Sequence, residues 1–193
     1  MRIAIAALLG AILVFLWQFL AHMVLPIGQM GFRLPQNEDV VLQAVTTGLP
    51  TPGIYFLPSM DPAKMSDEAA MKTWAEKAKK NPWVFAVVNP SPEGDPMSMA
   101  PHLVKQFITN LISAFLVAFV LAATAWTMGM RIAGSLIFGV FGWLMNIVPQ
   151  WNWYRFPADF MLGNLLEQGI GWLLAGVAIA WWLGRTENRV VTR

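Results

Sequence analysis

The chain has 193 residues, of which 56% are hydrophobic and only 12% are charged; its formal net charge is +2 and it has no cysteine. A soluble domain carries about 25% charged residues, so this composition argues against a soluble protein and favours one solvated largely by lipid. The net charge is near zero, and no stripe of lysine and arginine alternates with aromatic residues, so the sequence does not favour nucleic-acid binding. Without cysteine, disulfide bonds, thiolate catalysis and cysteine-ligated metal are excluded.

Four long apolar runs contain only one charged side chain, Glu167. Each run is about long enough to cross the ~30 Å hydrocarbon layer as a helix rising ~1.5 Å per residue. The first is too long for the apolar region of a typical signal peptide, and no Ala-x-Ala site follows it. We therefore predict an integral membrane protein with an all-α four-helix transmembrane bundle. The predicted helices are Ile3–Leu25, Phe107–Met128, Ile132–Val148 and Phe160–Gly184.

The basic residues at the ends of the runs predict the orientation. Arg2 precedes the first run, Arg131 lies between the second and third, and the tail 185–193 holds three arginines. The loop 149–159 carries only Arg155. By the positive-inside rule both termini are cytoplasmic. Residues 26–105 then lie outside, in the periplasm of a Gram-negative cell, and the predicted location is the bacterial inner membrane.

The long segment 26–105 is predicted to form a small extracytoplasmic α+β cap between helices 1 and 2, in the order α-β-α-β. Asn37 is a good N-cap and Gly48 a good helix end. Ser66 is predicted to cap the second helix, with acids in its first turn and lysines in its last. The predicted strands are Ile54–Leu57 and Trp83–Val88, and their pairing and direction are left open by the sequence.

The order of these features resembles a family of bacterial four-helix inner-membrane proteins of uncharacterised function. The segments that carry the resemblance are Asn37–Asp39, Gly53–Pro58, Val84–Pro90 and Trp151–Tyr154. The resemblance covers nearly the whole chain and implies this architecture. It implies no activity.

Polar side chains within the runs cluster at the end of each helix that is predicted to lie in the outer half of the bilayer. Asn164, Glu167 and Gln168 share one helical face, which should point into the bundle because a charge facing lipid costs a few kcal/mol. Glu167 is then at a depth where it can reach His22 or Asn110. The set is either a pocket opening outward or a group of hydrogen bonds that locks helix packing. Its members are Gln18, His22, Asn110, Asn146, Asn164, Glu167 and Gln168.

The loop 149–159 contains a second candidate site, an aromatic platform made of Trp151, Trp153, Tyr154 and Arg155. Such aromatic density at an interface most often anchors a protein in the membrane. The alternative is a surface for a hydrophobic ligand or a partner helix.

Standard catalytic and nucleotide-binding motifs are absent from the sequence. A metal or haem site would have to use His22 and His102, but their positions do not provide a His-x-x-x-His or Glu-x-x-His spacing, so no cofactor is predicted. The leading hypothesis is a non-enzymatic accessory or scaffolding subunit that associates with other membrane subunits or with itself. The alternative is a small-molecule or lipid binding or transport protein with an outward-facing pocket around Glu167.

Overall fold

The computed structural model describes residues 1–90, 94–95 and 97–191, with side chains described up to residue 186. Within these residues the chain is mostly helical and contains one small sheet. Its elements are α1 (Arg2–Phe19), α2 (Glu38–Gly48), β1 (Gly53–Leu57), α3 (Glu68–Lys80), β2 (Val84–Val88), α4 (Ala100–Ala122), α5 (Met128–Tyr154) and α6 (Ala158–Val191). Two units form: one of residues 1–32 with α4 to α6, and one of residues 33–95.

Among the described residues, four helices are long and apolar enough to cross a membrane: α1 with the turn that follows it, α4, α5 and α6. Their ends differ from the predicted ones. α4 begins at Ala100 rather than Phe107, with Pro101 in its first turn, where proline is well tolerated. An apolar run marks only the stretch that suits lipid. The helix itself can extend beyond that run through polar residues of high helix propensity. The predicted bounds of the second helix were therefore wrong at both ends.

The predicted aromatic loop 149–159 is also largely wrong, because α5 continues through Pro149 to Tyr154. Arg155 ends that helix in the left-handed conformation, with φ of 59°. α6 then begins at Ala158 and continues to Val191, so most of the predicted tail 185–193 is helical. Residues 192–193 of that tail, and residues 91–93 and 96 of the predicted cap, lie outside the described residues.

The first apolar run does not end as a regular helix. α1 is followed by a π-helical turn over Leu20–Val24, in which the amide of Leu25 donates to the carbonyl of Leu20 at 2.8 Å. A short 3-10 turn over Pro26–Gln29 comes next. π-Helical turns insert one residue into the helical repeat and are frequent at functional sites. This one contains His22.

Small residues set the helix packing. α4 packs on α1, α1 on α6 and α6 on α5, while α4 and α5 make few contacts. A Cβ at Gly10 would lie 2.8 Å from Cδ1 of Ile179 and 3.5 Å from Cβ of Ala114, so α1 is close to both α6 and α4. Alanines fill much of the buried core between these three helices: Ala6, Ala7, Ala11, Ala114, Ala118 and Ala175.

Three tryptophan indoles fix how the helices run past one another. Each donates to a backbone carbonyl of a neighbouring helix, which satisfies the polar end of a large apolar side chain. The bonds join Trp17 to Glu167 (3.0 Å), Trp182 to Arg2 (3.1 Å) and Trp143 to Met161 (2.9 Å). The first two join opposite ends of α1 and α6, so these two helices are antiparallel.

In the second unit, β1 and β2 form an antiparallel two-stranded sheet, in register from Gly53 opposite Val88 to Leu57 opposite Val84. The predicted strands are thus confirmed to within a residue, and their open pairing is resolved. The Trp83 ring packs 5.0 Å from that of Phe56 and 6.0 Å from that of Trp74. These rings join the sheet to α3.

The helix starts in this unit follow N-cap chemistry. The side chain of Asn37 accepts from the amide of Val40 at 3.1 Å, as predicted. For α3 the predicted cap, Ser66, was wrong. Asp67 is the N-cap and accepts from the amides of Ala69 and Ala70. Its carboxylate favours the positive end of the helix more strongly than a hydroxyl would.

Replacing Gly139 by alanine should destabilise the first unit by roughly 1–3 kcal/mol, the usual cost of overpacking. A Cβ there would lie 2.9 Å from the backbone oxygen of Gln168 and 2.8 Å from Cδ1 of Trp172, and the backbone oxygen cannot move without shifting α6. The measurement is the thermal midpoint of tryptophan fluorescence in mild detergent. Gly169→Ala is the matched control, because its nearest neighbour would be 3.9 Å away. An equal midpoint for the two variants would contradict the packing described.

Candidate functional site: a cavity at the His22–Glu167 pair

The single carboxylate of the apolar runs pairs with a histidine. Nε2 of His22, on the π-helical turn, lies 3.2 Å from Oε2 of Glu167 on α6. The histidine side chain is 50% exposed, whereas that of Glu167 is 17% exposed. The pair is therefore shielded on the glutamate side and open on the histidine side.

Gly28 makes room for this histidine. A Cβ at Gly28 would overlap the imidazole ring around Nδ1 and Cγ of His22. Gly28 belongs to the 3-10 turn that follows the π-helical turn. The chain thus folds back on itself after α1 and holds the ring between the Gly28 backbone and Glu167.

A chain of amides lies beside the His22–Glu167 pair. Nδ2 of Asn110 donates to Oε1 of Gln18 at 2.7 Å, and Nε2 of Gln106 donates to Oδ1 of Asn110 at 3.0 Å. Asn110 is only 5% exposed. Because a buried amide without partners is costly, this network fixes α4 against α1 at the level of the His22–Glu167 pair.

The backbone of α6 is held at the same level. The indole of Trp17 donates to the carbonyl of Glu167 and lies over Gly171, where a Cβ would be 3.2 Å from Cδ1 of the indole. Trp17 and Gln18 are adjacent on α1, so one turn of α1 contacts α6 through the indole and α4 through the amide.

Between these groups lies a cavity of about 400 Å³. Its walls are mostly apolar, and the four polar side chains Gln18, His22, Gln106 and Glu167 are part of its lining. Phe19, Met23 and Met99 are exposed, so the cavity opens at the surface of the α1–α4 pair. The apolar lining residues are Phe15, Phe19, Met23, Met99 and Leu103. A small set of polar groups in an apolar cleft of this size is typical of ligand sites.

The predicted polar set divides in two. Gln18, His22, Asn110 and Glu167 are brought together. Asn146 and Asn164 instead donate to carbonyls of their own helices, those of Gly142 and Phe160, both at 2.9 Å. Gln168 lies against α5, where a Cβ on Gly142 would be 3.3 Å from its Oε1. None of these three lines the cavity.

The aromatic set lies on the last turns of α5. Trp151, Trp153 and Tyr154 are all exposed. Trp151 and Trp153 are two positions apart, which places them ~200° apart around a helix of 3.6 residues per turn. Their rings therefore leave the helix in different directions, with Arg155 at its C-terminal end.

Within the described part of the chain, no three His, Cys, Asp or Glu residues lie close enough together to hold a metal ion. His102, the second histidine, is exposed in the first turn of α4. It does not line the cavity.

Sequence reasoning missed Gln106 and the five apolar lining residues. Gln106 lay between the predicted cap, residues 26–105, and the predicted start of its helix at Phe107, so it was assigned to neither. The signal that could have found it is Pro101, which predicts a helix start there and places Gln106 one turn before Asn110. The apolar residues carry no signal of their own, because their role depends on which faces of α1 and α4 meet.

The chain matches no family model, and neither a curated protein nor a solved structure is significantly similar to it.

Gly28→Ala should separate His22 from Glu167, since the added methyl group occupies the position of the ring. The freed imidazole should then react faster with diethyl pyrocarbonate, measured by mass spectrometry with His102 as the reference within the same molecule. Gly53→Ala is the control, because its Cβ would meet nothing closer than 3.7 Å. An unchanged ratio of His22 to His102 modification would show that Gly28 does not hold the ring.

Proposed function

We propose that this chain is a multi-pass protein of the bacterial inner membrane, with both termini cytoplasmic and residues 26–105 in the periplasm. Four membrane-length helices support the first part. The antiparallel arrangement of α1 and α6 supports termini on one side. Arg2 and Arg131 mark that side as cytoplasmic by the positive-inside rule. Arg131 belongs to the α4–α5 end of the molecule, where its Nη2 donates to the carbonyl of Thr124 at 3.2 Å.

Single cysteines test this topology cleanly, because the natural chain has none. Ser59→Cys in the second unit should react with a membrane-impermeant maleimide in cells whose outer membrane has been made permeable. Ala125→Cys in the α4–α5 turn should react only after the inner membrane is opened. Both positions are exposed, so a cysteine that fails to react must be shielded from the reagent by the membrane. The opposite labelling pattern would reverse the proposed orientation.

We further propose that the protein binds an amphipathic molecule in the cavity at the His22–Glu167 pair. The observation that carries this proposal is that Glu167, the sole carboxylate of the apolar runs, lines a cavity whose walls are mostly apolar. Ionisable groups inside membrane helices are costly and usually functional. The exposed rim lies on the surface of the α1–α4 pair, so in a bilayer it would face the lipid, and a ligand would enter sideways.

The same region also supports helix packing. The amides of Gln18 and Asn110 bond each other and join α1 to α4, so their role is structural. The His22–Glu167 pair differs in that the histidine side chain remains half exposed beside the cavity. Binding is therefore proposed for the pair and its apolar walls, and packing for the amides behind them.

Leu103→Trp should abolish ligand retention, because the larger side chain would fill the cavity from the α4 side. The measurement is native mass spectrometry of protein extracted from its own membrane in mild detergent. The wild type should retain a defined small molecule or lipid. Ile137→Trp is the matched control, a similar enlargement on an exposed position of α5 outside the cavity. Equal retention by both variants would contradict binding in this cavity.

A second proposal, an accessory subunit that associates with other membrane proteins, is supported by the sheet. Ile54 and Val87 are cross-strand partners, yet they are 70% and 75% exposed. An apolar pair exposed on one face of a two-stranded sheet suits packing against an apolar surface of a partner. In the same spectra this proposal predicts additional subunits at a fixed ratio, which Leu103→Trp should leave in place.

A further inference from the structure

We propose that the ligand of the cavity carries a protonated primary amine on a hydrocarbon body, and that its ammonium group binds Glu167 in exchange for the imidazole of His22. This inference rests on the proposed function of the cavity and names the chemical class that it accepts. It follows from the charges, the hydrogen-bonding atoms and the walls of the site.

The charge of the lining favours a cation. Among the residues that the structure describes, Glu167 and His22 are its only ionisable groups, and no lysine or arginine lines it. An anionic headgroup would therefore meet a carboxylate with only the histidine to offset it. A cation would meet the carboxylate directly, in a surrounding of low polarity that strengthens the attraction.

The free hydrogen-bonding atoms also favour a donor. Oε2 of Glu167 contacts His22, while among the described residues Oε1 of Glu167 and Oε1 of Gln106 accept no hydrogen bond. An ammonium group has three donors and no acceptor. The amide nitrogen of Gln18 is a donor in the same lining, and among the described residues it makes no hydrogen bond. A carbonyl or quinone head, which only accepts, would thus leave the carboxylate unmatched.

The walls suit the rest of such a molecule. Phe15 and Phe19 line the cavity, and aromatic faces attract cations held near them. Met23, Met99 and Leu103 form an apolar continuation towards the open rim. A hydrocarbon chain can lie along these side chains while the head reaches Glu167.

The exchange gives the two members of the pair opposite roles. Glu167 holds the ammonium, so removing its charge weakens binding. His22 competes for the same oxygen, so removing the imidazole strengthens binding. If the pair served only to lock the helices, both substitutions would disturb the site in the same direction.

The test uses the full chain in phosphatidylcholine nanodiscs, a lipid without a primary amine. The probe is a dodecylamine that carries a photoreactive diazirine on its chain, compared with the corresponding dodecanol. Cross-links to α1 and α4 residues of the cavity are quantified by mass spectrometry over a range of probe concentrations. We expect half-saturation by the amine at a concentration about tenfold or more below that for the alcohol, the advantage of a charge-assisted hydrogen bond.

Glu167→Gln should remove this preference of about tenfold, and His22→Gln should increase amine labelling at a fixed low concentration. Glu76→Gln is the control, because it neutralises an exposed carboxylate of α3 and should change nothing. The thermal midpoint of each variant shows whether it is folded. Because amine labelling is expected to fall in Glu167→Gln and to rise in His22→Gln, the result remains decisive even if one of the two variants is less stable.

The outcomes separate this inference from the proposed function. Equal labelling of the cavity by amine and alcohol, both lost in Leu103→Trp, would overturn the amine and leave amphiphile binding intact. Labelling of the cavity by neither probe would overturn both. Where the amine is preferred, competition by unlabelled phosphatidylethanolamine assigns the headgroup to a membrane lipid, whereas competition by dodecylamine alone assigns it to a free cationic amphiphile.

Discussion

The close approach of α1 to α6 is the constraint on which the rest of the first unit depends. Glycine makes room for it at two levels: at Gly10 against Ile179 and at Gly171 under the indole of Trp17. An interhelical hydrogen bond in a membrane is worth only about 0.6 kcal/mol on average. The bond from Trp17 to the Glu167 carbonyl therefore does not hold the helices together by itself. Tight packing of small residues supplies the stability, and the bond selects the register.

That register decides what lies opposite Glu167. With Trp17 fixed against α6, the next residue, Gln18, meets Asn110 of α4 at 2.7 Å. The π-helical turn then carries His22 to within 3.2 Å of the glutamate. The segment 17–22, at the end of α1 and in the π-helical turn, thus connects three features: the contact with α6, the amide contact with α4 and the His22–Glu167 pair. A shift of α1 by one residue would separate all three at once.

The site combines groups with different physical roles. The buried amides have bonds that offset the cost of removing them from water, and they order α4 against α1. The His22–Glu167 pair is only partly buried, and its carboxylate retains an oxygen without a donor among the described residues. Rigid neighbours around an incompletely satisfied group are the usual arrangement of a binding site, because the groups that hold it are already ordered before a ligand arrives.

Much of the architecture could be predicted from the sequence. The four long helices, both strands and the cap of α2 at Asn37 depend on local signals: apolar length, β-branched runs and N-cap chemistry. The helix ends were less predictable. The start of α4 near Pro101 lies in a segment where hydropathy falls but helix propensity does not, and this is why Gln106 was missed. α5 continues through Pro149 and several weak helix formers, so its end could not be predicted from local propensity.

The sequence by itself predicted that Glu167 faces other protein groups, since a lone carboxylate facing lipid would be costly in a membrane-spanning helix. It also determined that amide and imidazole groups occur near the same ends of the helices. Only the tertiary structure decided which of them meet, because that choice depends on the rotation and register of whole helices. Asn146 and Asn164 have residue types as suitable as that of Asn110, yet they bond within their own helices, whereas Asn110 lies where small residues let α4 approach α1.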